Sequence, residues 1–73
     1  MKVTVDKSED IAKIYLDYIP AGGVAESCVC DAEASAAAIY LDFDKDGRLI
    51  GIEVSPASKG LPAALLSEAE VIG

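Results

Sequence analysis

Apolar and polar residues alternate with period two through most of the chain, and that alternation predicts strands. Lys2-Val3-Thr4-Val5-Asp6 places Val3 and Val5 on one face. After the polar break Lys7-Ser8-Glu9-Asp10, a second strand is predicted from about Ala12 to Ile19, with Ala12, Ile14 and Leu16 on one side and Lys13, Tyr15 and Asp17 on the other. The break reads as a turn or a single helical turn, with Ser8 as its cap. Pro20-Ala21-Gly22-Gly23 is turn chemistry. Val24 to Asp31 is a weaker third strand carrying Cys28 and Cys30, and the alanine-rich stretch to Ala37 fits a loop or a short helical turn.

The clearest unit follows. Segments 37–43 and 48–55 alternate, with Ile39, Leu41 and Phe43 on one face of the first and Ile50, Ile52 and Val54 on one face of the second. Asp44-Lys45-Asp46-Gly47 between them predicts a type I turn closed by a bulge, Gly47 supplying the positive φ. Beyond Pro56 the texture changes. Ser58-Lys59-Gly60 reads as a loop and Leu61–Ala69 as a helix with Pro62 in its first turn; Leu61, Leu65, Ala69 and Ile72 form its apolar stripe. The expected fold is α+β: a small, mostly antiparallel β-meander of four to five strands, with a C-terminal helix packed on one face. Residues 1–73 make one domain, with 60–73 as its helical tail.

At this length the core is thin, and such chains often add a metal, a disulfide or a second subunit. Hydrophobic residues make up 52% of the chain, yet many are alanines that each cover little area. A self-associating surface is therefore expected. The formal charge of −7, from 13 acidic and 6 basic residues, argues against nucleic acid and anionic membranes. It suits a basic protein partner. No stretch reaches the roughly 20 apolar residues of a membrane span, and polar residues break up the first ten positions where a signal peptide would lie. A cytoplasmic protein with reduced cysteines is the expectation.

Several blocks together resemble one family: Asp6-x3-Asp10 with the strand ending at Ile14 and Leu16, Val24-Ala25-Glu26-Ser27, Ile39 through Val54, and Ala57-Ser58. The chain is similar over roughly residues 1–59 to the small YuzE-like bacterial proteins, the domain of unknown function 2283 family. The resemblance implies a small β-rich α+β fold and no activity, since none is assigned to that family. Three places depart from its pattern: Lys13 where an aromatic residue is usual, a longer alanine-rich stretch from Cys28 to Ala37, and the tail beyond Gly60.

Candidate chemistry is sparse. The chain has no histidine, no nucleophile elbow and no phosphate-binding glycine loop, so no catalytic residue is assigned and no enzyme is expected. No cofactor is implied. Asp42, Asp44, Asp46 and Glu53 fit the calcium-loop spelling D-x-D-x-D-G-x5-E over residues 42–53, but the flanking segments are strands where that loop needs helices. Alternation places Asp42 and Glu53 opposite the apolar rows, where solvent exposure accounts for them. Cys28 and Cys30, two apart on a strand, share a face at about 7 Å, the limit of disulfide reach. Two small apolar side chains on a sheet face is the simpler account; a four-thiolate zinc site across a dimer is the sharper one. The leading reading is a non-catalytic module that binds itself or a basic partner, in an antitoxin-like role, through an open sheet edge or the helix stripe. The alternative is a metal-binding protein using the acidic hairpin or the paired cysteines.

Overall fold

The computed structural model describes residues 1–73. Six strands form one sheet: β1 (Lys2–Asp6), β2 (Ile11–Tyr15), β3 (Glu26–Cys30), β4 (Ala38–Phe43), β5 (Leu49–Ser55) and β6 (Glu70–Val71). Two short helices, α1 (Ala57–Gly60) and α2 (Ala63–Glu68), lie between β5 and β6. The spatial order is β3-β4-β5-β2-β1-β6. The class is α+β and the sheet mostly antiparallel, as expected, but it has six strands where four to five were expected, and it is not a simple meander. Hairpin β1–β2 and meander β3–β4–β5 are joined by the segment from Leu16 to Ala25, and β5 closes the sheet by pairing with β2. This puts the most apolar strand, β5, inside the sheet with a neighbour on each side.

The predicted hairpin turn is present in detail. Gly47 takes φ 81°, Asp44 N donates to Arg48 O at 2.9 Å, and Asp44 Oδ1 accepts from the backbone N of Asp46 and of Arg48. The alternation in β5 is interrupted. Asp42 pairs with Gly51 while Phe43 pairs with Leu49, so a β-bulge leaves Ile50 without a partner on β4, while its carbonyl still accepts from Leu16 N at 3.0 Å. The break after β1 is a turn capped by Asp6, not Ser8: Asp6 Oδ1 accepts from the N of Ser8 and of Glu9.

The tail differs most from expectation. The residue before a proline is pushed out of the α region, and Leu61 accordingly is extended (φ −126°, ψ 151°), with Pro62 as the N-cap of α2. The helix expected over 61–69 is therefore shortened to α2, and Ser58-Lys59-Gly60, expected as a loop, belongs to the separate helix α1. Ala69 is extended, and the chain then runs parallel to β1 as β6, with Ile72 N donating to Val5 O at 2.9 Å. Of the predicted stripe, Leu61 and Ala69 pack on the core, Leu66 takes the place of Leu65, and Ile72 is exposed.

The core lies where the helices meet one face of the sheet. Val5, Ala12 and Val54 stand side by side on β1, β2 and β5, and each is at most 4% exposed; Ala57 closes over them with Leu61, Leu66 and Ala69. One turn along the strands lies a second row on the same face: Val3, Ile14, Ile52, Leu41 and Cys28, adjacent across five strands and all only half-buried.

Candidate functional site

The opposite face of the sheet is polar, and register alone assembles its centre. Lys13 on β2 stands opposite Glu53 on β5, which stands opposite Tyr40 on β4. One step along, Tyr15, Gly51, Asp42 and Ser27 form the neighbouring row. Glu53 and Asp42 are thus diagonal neighbours on adjacent strands, within side-chain reach.

Asp42 is not the exposed residue that alternation suggested. It is on the predicted face but only 1% exposed. The Ser27 hydroxyl donates to its Oδ1, and Lys13 Nζ lies 3.7 Å from Oδ2. Gly51 explains the burial: a Cβ there would stand 3.2 Å from Ile19 Cδ1 and 3.4 Å from Asp42 Oδ2, so the bare backbone lets Ile19 fold over the carboxylate. Lys13 also stacks over the Tyr15 ring, 5.1 Å from its centroid, which holds the ammonium beside the acids.

Two acids beside one ammonium leave an uncompensated charge. The pKa of Glu53 is raised, first by its hydrogen bond to Asp42, then by burial and by the Asp42 charge, with Lys13 opposing. Asp42 Oδ2 is buried and has no hydrogen-bond donor.

The other predicted ligands are elsewhere. Asp44 is bound to its own turn, where the backbone N–H groups of Arg48 and Asp46 lower its pKa, and Asp46 faces Arg48 at 3.6 Å. The structure does not bring Asp42, Asp44, Asp46 and Glu53 together, and no group of three or more Cys, Asp or Glu side chains is placed to hold a metal ion. Cys28 and Cys30 share the apolar face of β3, an outer strand; both are free thiols. Glu26 accepts from Cys28 Sγ at 3.3 Å and raises that thiol's pKa.

Sequence reasoning gave Lys13, Ser27 and Asp10 no role in a site, although Ser27 and Asp10 lie in the blocks that carry the resemblance and Lys13 departs from its pattern. Asp10 joins distant segments: at φ 56° it accepts Ala57 N on its carbonyl, and its carboxylate accepts Ser58 N at 3.0 Å and Ser58 Oγ at 2.5 Å. No helix is long and apolar enough to cross a membrane.

Residues 2–58 match the model of the family described as proteins of unknown function (DUF2283). That span is well over half of the chain, which therefore belongs to this family. No curated protein matches, and no solved structure matches.

Proposed function

We propose that this member of the DUF2283 family is a non-catalytic module that acts by associating with a second copy of itself, through the uncovered half of its apolar sheet face. The row Val3, Ile14, Ile52, Leu41 and Cys28 carries this reading. It spans five adjacent strands, contains no charged residue, and stays partly exposed beside the buried Val5, Ala12 and Val54.

Charge distinguishes the occupant. A chain of net charge −7 repels its copy wherever charged surfaces meet, and this row is an uncharged place where two copies can touch. A basic partner would instead be drawn to the acidic turn and the opposite face. Area agrees in scale. A compact monomer of 7.5 kDa exposes about 4,250 Å² by the usual mass scaling. This chain exposes 4869 Å². The excess of roughly 600 Å² approaches the ~800 Å² that each partner contributes to an ordinary stable interface. Only five apolar residues are buried in the single chain, so burying a second row would add substantially to its stability.

Sedimentation equilibrium over a wide concentration range is the test, with Val3→Lys and Ile52→Lys beside the wild type. The expected result is a wild-type dimer and monomeric variants that keep the wild-type far-UV spectrum. Wild-type protein that stays monomeric throughout, or variants that dimerise equally well, would overturn the reading. Val3 lies on β1 at the margin of the row, which makes it the variant least exposed to misfolding.

A further inference from the structure

We propose that Glu53 and Asp42 bind one shared proton, Glu53 donating it to Asp42 Oδ2, so that the polar face carries a proton-sensitive clasp between β4 and β5. Asp42 Oδ2 is buried, has no hydrogen-bond donor, and is shielded by Ile19 lying over Gly51. A buried carboxylate oxygen left unsatisfied is costly, and an adjacent carboxylic acid is the one group here that satisfies it directly. Ser27 is already engaged with Oδ1. Lys13 Nζ, at 3.7 Å, contributes charge but stands beyond hydrogen-bond distance.

Charge counting gives the same result. Two carboxylates and one ammonium leave a net negative charge in a half-closed site; one added proton brings it to neutrality. The pair resembles other close carboxyl pairs, which cannot both ionise readily. The surrounding groups do not reverse this. From β2 the pair faces Lys13 and, beside it, Tyr15; from β4 it faces Tyr40; from β3 it faces the uncharged Ser27. On β1, Thr4 lies opposite Lys13, and Lys2 is paired with Glu70 of β6 at 3.6 Å. Asp17 is exposed on the segment that carries Ile19. A metal cation would have to displace Lys13, whereas a proton fits with the ammonium in place.

The sign of the effect follows from linkage. Glu53 holds its proton more tightly in the folded chain than in the unfolded one. Its contribution to stability is therefore complete below the ordinary glutamate value of 4.5 and is lost as pH rises through the raised value. The test is the urea midpoint as a function of pH for wild type and Glu53→Gln, at one protein concentration. The glutamine amide donates to Oδ2 without titrating. The expected result is a wild-type midpoint that falls as pH rises above 4.5 while that of Glu53→Gln stays level, the difference shifting steadily in favour of the variant. Parallel profiles would overturn the proposal. Carbon NMR of wild-type protein labelled at the glutamate carboxyls does not depend on the variant folding: one glutamate titrating well above the others supports the shared proton, and all titrating together refutes it.

Discussion

Replacing Gly60 with alanine sets two effects of opposite sign against each other, and the structure decides between them. Gly60 does not have a positive φ and sits at the end of α1, so on backbone grounds alanine would help, by up to about 1 kcal/mol from helix propensity and reduced freedom of the unfolded chain. Packing opposes this. The added Cβ would stand 2.5 Å from Val54 Cγ1 and 2.6 Å from Ala37 Cβ, where carbon atoms prefer about 3.5–4.0 Å. Neither neighbour gives way easily. Val54 is β-branched, 2% exposed and central in the core, and the Ala37 methyl has no rotamer to change. The helix must lift from β5, an overpacking that costs about 3 kcal/mol at the upper end of its usual range. The net loss is about 2 kcal/mol, against a total of about 4–11 kcal/mol for a chain of this length. In a far-UV circular dichroism melt this lowers Tm by about 8–16 °C. A variant that melts at or above the wild-type temperature would refute the claim that α1 is pressed against Val54 and Ala37.

Other expectations follow from the turns. Asp10→Ala removes two hydrogen bonds to Ser58 and places a Cβ-bearing residue with no compensating contact at φ 56°, costing about 2–3 kcal/mol in urea unfolding. Asp10→Gly relieves the backbone strain and should lose less; equal losses would show that the strain is negligible. The pKa of Asp44 is lowered by the turn's own N–H groups, so its contribution is present above the ordinary aspartate value of 3.8 and is lost as pH falls through the lower folded value. Asp44→Ala should therefore have a lower urea midpoint than wild type at neutral pH, with the gap closing in strong acid; a gap independent of pH would contradict this.

The sequence was legible where local rules act alone. The 38–43 and 49–55 hairpin, its acidic turn and the positive φ of Gly47 are decided by alternation and turn chemistry within a dozen residues. Elsewhere local signals competed. The stripe Leu61, Leu65, Ala69 and Ile72 suggested one helix from Leu61 onward, but the restriction that Pro62 places on Leu61 delays its start to Ala63, and the open edge of β1 draws Glu70 and Val71 into the sheet. The bulge at Ile50 depends on a partner strand, as does the burial of Asp42; strand alternation specifies a face but not what lies over that face.

From the sequence alone came the α+β class, the partition of each strand into apolar and polar faces, and the shortage of residues for a full core, which depend on composition and period-two spacing; the family came from the likeness of particular blocks, Ile39 through Val54 above all. The tertiary structure decided the rest. It placed β5 against β2, which set Lys13 opposite Glu53 and made neighbours of residues 40 positions apart. It folded Ile19 over Gly51, which turned an apparently surface aspartate into a buried acid beside a second carboxyl. It also buried Val5, Ala12 and Val54 in one apolar row while leaving the next, Val3, Ile14, Ile52, Leu41 and Cys28, only partly buried. Contacts of that kind join segments far apart in sequence, and only the folded chain brings them within a few ångströms.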